Sequence, residues 1–68
     1  MRFRGRITAD LRLPDGSWVE RSVKYDMPSE PSRREASRIM RGREAHEVGV
    51  SRFDIRARDV QVHPEEIA

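Results

Sequence analysis

From Phe3 to Leu13 apolar and polar residues alternate with a period of two. Phe3, Gly5, Ile7, Ala9, Leu11 and Leu13 point one way, and Arg4, Arg6, Thr8, Asp10 and Arg12 the other. That is the pattern of a half-buried strand. Pro14-Asp15-Gly16 follows. It supplies a fixed φ for the first corner of a turn, a side chain that caps its own backbone, and a glycine free to take positive φ. A three-residue loop closed by a bulge at Gly16 pairs Leu13 with Ser17, and every further pair keeps the same sum of residue numbers. This register sets Leu11 opposite Val19, Ile7 opposite Val23, Gly5 opposite Tyr25 and Phe3 opposite Met27. Nearly every apolar residue of both strands then falls on one face, which is the internal test of a register. Arg21, opposite Ala9, is the exception. The other face pairs Arg4 with Asp26, Arg6 with Lys24, Thr8 with Ser22, Asp10 with Glu20 and Arg12 with Trp18.

Met27-Pro28-Ser29-Glu30-Pro31 cannot continue a central strand and reads as a connector. Ser32 followed by Glu35 fits a capping box, with Ser29 and Pro31 a competing start. The helix that begins here carries Ala36, Ile39 and Met40 at helical spacing. Gly42 is its expected stop, and Arg43-Glu44-Ala45-His46 offers one further turn. The apolar stripe is narrow, so the helix is expected to cover one small sheet. Past Val48-Gly49-Val50, Phe53, Ile55 and Ala57 and then Val60 and Val62 alternate in two phases, with a slip near Arg58-Asp59. A bulged strand accounts for the slip, and so do two short strands joined by a tight turn. From His63-Pro64 onward the chain reads as a tail.

The expected fold is therefore α+β: a hairpin, a helix and one strand that is bulged or split (ββαβ). These form a three-stranded, mostly antiparallel sheet on one helix, a single domain over 1–63 with a tail at 64–68. The third strand can lie beside the first or at the other edge. Either way a sheet edge is left unpaired, and pairing with a second copy is one means of covering it. The order of elements is similar to that of small ribosomal and RNA-associated α+β proteins, a likeness of topology, which does not carry function.

The chain has 68 residues, 35% of them apolar and 38% charged, and no cysteine. A domain this small buries only about 60% of its unfolded surface. Disulfides and thiolate zinc sites, two common aids to stability at this size, are excluded. No apolar run approaches the roughly 20 residues of a membrane span, and Met1-Arg2-Phe3-Arg4 does not open a secretory signal. A soluble, cytoplasmic protein with no membrane partner is expected.

Fourteen basic residues against twelve acidic ones leave a net charge of +2. Of the bases only Lys24 is not arginine. Arginine suits planar, bidentate contact with phosphate or carboxylate, although a GC-rich coding genome also enriches it. The excess positive charge lies in residues 1–25, where Arg2, Arg4, Arg6, Arg12, Arg21 and Lys24 outnumber Asp10, Asp15 and Glu20. The helix adds Arg33, Arg34, Arg38, Arg41 and Arg43, partly neutralised by Glu35, Glu44 and Glu47; such a run is usually a solvated face.

No acid-base pair, nucleophile or phosphate-cradling glycine loop is apparent. His46 and His63 lack the spacing of metal ligands. A non-enzymatic interaction module without cofactor is expected. Its candidate site is the hairpin's outer face, with Arg4, Arg6, Arg12, Trp18 and Lys24 as contact residues for nucleic acid, DNA or RNA. A two-stranded ribbon can enter a major groove, or Trp18 can stack on an unpaired base. On the same face, Arg12 over Trp18 and Arg4 with Asp26 are the pairings of a merely solvated surface. An acidic protein surface is the alternative partner, engaged by an edge strand or by Trp18 and its arginines, as for accessory or inhibitor proteins encoded by phages and mobile elements. A structural homodimer is the third reading.

Overall fold

The computed structural model describes residues 1–65. Strands β1 (Phe3–Arg12) and β2 (Trp18–Met27) form the hairpin. Helix α1 (Arg33–Val48), a short 3-10 turn (Arg52–Asp54) and strand β3 (Arg56–Pro64) follow. The sheet order is β2-β1-β3 with both pairings antiparallel, so the third strand lies beside the first. This is the α+β, ββαβ arrangement that the alternation predicts.

The β1–β2 register runs from Phe3 opposite Met27 to Arg12 opposite Trp18, as the turn chemistry requires. Leu13 N–H donates to Ser17 O at 2.8 Å and Gly16 N–H to Leu13 O at 2.9 Å, with Gly16 at φ 91°. Asp15 Oδ1 accepts from both the N–H and the hydroxyl of Ser17, which holds its carboxyl below the ordinary value.

Strand β3 is one bulged strand. Pairing runs from Gly5 opposite Pro64 to Thr8 opposite Gln61, then resumes at Asp10 opposite Arg58, so Asp59 and Val60 together face Ala9. Asp59 takes φ 53°, a left-handed conformation that aspartate tolerates better than most residues. The extra residue restores the phase, so that Ala57, Val60 and Val62 all face the core. The strand continues through Pro64, and Glu65 N–H donates to Arg4 O at 2.9 Å. His63 and Pro64 thus belong to the sheet; the rest of the expected tail, 66–68, lies outside the described residues.

Helix α1 starts as expected, with Ser32 Oγ accepting Glu35 N–H at 3.1 Å. It does not stop at Gly42. It continues to Val48 and ends at Gly49, whose φ of 75° lets its N–H reach Ala45 O at 2.9 Å. The alternation that includes Phe53 is also misleading. Phe53 sits in the 3-10 turn, 74% exposed under the guanidinium of Arg52, and the strand begins at Arg56.

The core forms between α1 and the inner sheet face: Ile7, Leu11, Met40 and Ile55 are its largest fully buried side chains, joined by Ala9, Ala36 and Ala45. The helix packs on β3 and β1 and leaves β2 at the margin of its cover. Val19, Val23 and Met27 are therefore only half buried. Arg21, the one charged residue on β2's inner face, reaches the helix and donates Nε to Glu44 Oε1 at 2.9 Å. No helix among the described residues is long and apolar enough to cross a membrane.

Tyr25 closes the other end of the core. Its hydroxyl donates to Glu30 Oε1 at 2.6 Å. Ionising it would set a phenolate against that carboxylate, and the hydrogen bond, followed by burial, pushes its pKa up to about 12. A folded-state pKa above the ordinary value of about 10 means this contribution is intact below pH 10 and is lost as pH rises through 12. Tyr25 is the only tyrosine, so tyrosinate absorbance reads it directly. We expect a midpoint near 12 in the native protein, and Glu30→Gln should move it toward 10.

Candidate nucleic-acid interface

The helix covers one side of the sheet only. Cross-strand partners share a face, so the registers fix what the open side carries. Along the sheet from the hairpin end, its rows read Trp18–Arg12–Arg56, Glu20–Asp10–Arg58, Ser22–Thr8–Gln61 and Lys24–Arg6–His63, closing with Asp26–Arg4. All five site residues expected from the hairpin, Arg4, Arg6, Arg12, Trp18 and Lys24, lie on this face. Strand β3 adds Arg56, Arg58 and His63.

Two groups of contacts organise the surface. Near the N-terminus, Asp26 takes Arg2 Nε at 2.7 Å and Arg4 Nε at 3.3 Å, and Arg2 also donates to the Asp26 carbonyl. The hydrogen bond from Arg2 holds the Asp26 carboxyl below its ordinary value, aided by the charge of Arg4. Nearer the turn, Arg58 of β3 crosses above β1. Its guanidinium carbon lies 3.8 Å from the centroid of the Trp18 ring, and its Nε is 3.5 Å from Asp10. The cation over Trp18 is therefore Arg58 and not the neighbouring Arg12. The register explains this: Arg58 is opposite Asp10, one row along the sheet from Trp18, and Asp10 holds it in reach of the ring.

Other cations on the face are left without carboxylates. Arg6 faces Lys24 and Arg12 faces Arg56. Among the described residues none of these four has an acidic side chain within ion-pair distance. Arg6 Nη1 donates to Ser22 Oγ at 2.9 Å, and Thr8 Oγ1 and His63 Nε2 share a hydrogen bond at 3.0 Å. Like charges directly across a strand pair are destabilising by about 0.2–1 kcal/mol. The two pairs lie about 20 Å apart at about 3.3 Å per residue. Between Arg6 and Lys24 the surface dips into an open depression of about 530 Å³, bordered by both signs of charge, Arg4 and His63 with Asp26 and Glu65.

The arginines of the helix do not join this surface. Arg33 and Arg34 border the β3 bulge on the helix side, and Arg41 donates Nε to the Ser37 carbonyl. A larger open depression of about 670 Å³ also lies on that side, lined by both signs of charge, Glu35 and Glu47 with Arg38 and Arg43. Among the described residues no three His, Cys, Asp or Glu side chains are placed to hold a metal ion. Arg56, Arg58 and His63 escaped sequence reasoning because the bulge hides the phase of β3. The opposite charges of Asp10 and Arg58 were the available signal.

Comparison with known proteins returns no matching family model, no matching curated protein and no matching solved structure.

Proposed function

We propose that the helix-free face of the sheet binds single-stranded nucleic acid. The observation that carries this reading is the two unneutralised cation pairs, Arg6–Lys24 and Arg12–Arg56, with Trp18, 40% exposed, in the row of the second. Their mutual repulsion is a cost that a polyanion removes, since phosphates between the members of each pair turn it into attraction. A separation of about 20 Å spans roughly six steps of a strand stacked at the duplex rise of about 3.4 Å, and fewer of an extended one.

The position of β3 favours a single strand over a duplex groove. A two-stranded ribbon fits a major groove about 12 Å wide, but here β1 is flanked on both sides, and three strands about 4.8 Å apart with their side chains are too broad to enter. A flat cationic sheet with an aromatic ring is suited to tracking an unpaired backbone and stacking a base. Trp18 offers the ring, with Arg58 extending the stack as a second planar surface.

The test is a titration of labelled single-stranded DNA and RNA oligonucleotides at two salt concentrations, following emission of Trp18, the only tryptophan. Affinity should fall steeply with salt, and Arg12→Gln or Arg6→Gln should each weaken it several-fold and lower the salt slope by about 1. Because each substitution removes a like-charge pair, it should leave stability unchanged or slightly raised. No binding at low salt, or binding indifferent to both substitutions, overturns the proposal. A contact with little salt dependence would point to a protein partner.

A further inference from the structure

The sheet has two edges, and only one is built to accept another strand. On β3 the edge is broken by the Asp59 bulge and ends at Pro64, devices that blunt strand addition. Strand β2 is ten residues long, without proline, bulge or positive φ. Because Leu13 and Ser17 form a hydrogen-bonded pair at the turn, the odd-numbered residues of β2 direct their N–H and C=O toward β1. The even-numbered residues Trp18, Glu20, Ser22, Lys24 and Asp26 direct theirs outward, to an edge that carries no strand among the described residues.

We propose that β2 pairs antiparallel with β2 of a second copy of this chain, centred on Ser22, to give a twofold-symmetric dimer with a continuous six-stranded sheet. Charge complementarity selects both the partner and the register. An antiparallel twofold joins like faces, so paired numbers must have an even sum. Centred on Glu20, Arg21 or Lys24, the seam opposes that residue with itself, and centred on Val23 it sets Glu20 against Asp26. Centred on Ser22, Glu20 meets Lys24 of the second copy twice, Trp18 meets Asp26, and Arg21 meets Val23. No like charges meet. The inner face agrees: Val19, half buried beyond the cover of α1, gains Tyr25 of the second copy as its neighbour.

The inference does not depend on the nucleic-acid reading, though it bears on it. The two outer faces would lie on the same side of the joint sheet. Lys24 would turn toward Glu20 of the second copy, leaving Arg6, Arg12 and Arg56 as the free cations.

Sedimentation equilibrium across a concentration series tests the dimer without any ligand. The native protein should self-associate. Glu20→Lys and Lys24→Glu should each weaken the dimer by on the order of tenfold, since each replaces two attractive seam pairs by repulsive ones. Combining them should restore it. Within one copy both substitutions relieve a repulsion, Glu20 with Asp10 and Lys24 with Arg6, so neither should unfold the protein, and circular dichroism checks that they do not. A native chain that stays monomeric throughout the series overturns the proposal. So does a dimer that both single substitutions leave intact, or that the double substitution fails to restore.

Discussion

Replacing Gly5 by alanine is expected to lower the unfolding free energy by about 3 kcal/mol, at the upper end of what overpacking costs. A Cβ at this position would overlap the backbone carbonyl oxygen of His63 and lie 2.6 Å from the Tyr25 hydroxyl oxygen and 2.7 Å from the edge of its ring. Gly5 sits in the central strand, between Tyr25 of β2 and Pro64 of β3. The Tyr25 ring lies over the space its missing side chain leaves. Moving the ring would break the bond to Glu30, and the His63 carbonyl is backbone, so neither obstacle can yield cheaply. Stabilities of about 0.05–0.15 kcal/mol per residue imply only a few kcal/mol for a chain of this length. The loss would therefore remove a large share of the total. Urea unfolding followed by Trp18 emission and by circular dichroism measures it. Adding Tyr25→Val to Gly5→Ala should recover part of the loss and no more, because the carbonyl remains. An unchanged urea midpoint in Gly5→Ala would mean that neither the Tyr25 ring nor the His63 carbonyl crowds this position.

What was legible in the sequence follows how local the deciding interaction is. The hairpin register rests on three turn residues and checks itself, because a slip by one residue would turn Ile7, Leu11 and Val23 to solvent. The start of the helix is equally local, a serine hydroxyl on the backbone three residues ahead. Its end is less local: of the two stops the sequence offers, Gly42 and a further turn, Gly42 has open space where a Cβ would be and needs no special backbone, whereas Gly49 takes the left-handed conformation that closes the helix beyond both. The stripe Ala36–Met40–Glu44 does run past Gly42, but its third member is a glutamate, and charge disguises a buried position. Phe53 deceived in the opposite sense, an aromatic ring that the fold leaves in solvent. The larger part of the candidate interface, Arg4, Arg6, Arg12, Trp18 and Lys24, is visible in β1 and β2. The part on β3, Arg56, Arg58 and His63, depends on which strand it pairs with and on the one-residue bulge at Asp59, and both are settled by tertiary packing.

Arg21 and Glu44 provide the second large effect. Each looks misplaced alone, a cation on the apolar face of β2 and a carboxylate in the apolar stripe of α1. Glu44 is 5% exposed and accepts from Arg21 through both oxygens, at 2.9 and 3.4 Å. It is the tie between α1 and the strand that the helix barely covers. Arg21→Ala would strand the carboxylate in the core. Breaking a fully buried pair from one side costs about 3–5 kcal/mol, but the Arg21 side chain is half exposed, so water can partly replace it, and about 2 kcal/mol is expected here. Glu44→Ala should cost less, because the guanidinium it leaves behind can turn to solvent. Arg21→Ala with Glu44→Ala should then be more stable than Arg21→Ala by itself, which makes the coupling in a double-mutant cycle the deciding measurement. Arg21→Val with Glu44→Leu should come close to the native protein, since an apolar pair of matching reach needs no desolvation. Additive losses in that cycle would mean the two side chains do not hold each other, and that the helix is fastened to the sheet by the apolar core around Ile7, Leu11 and Met40.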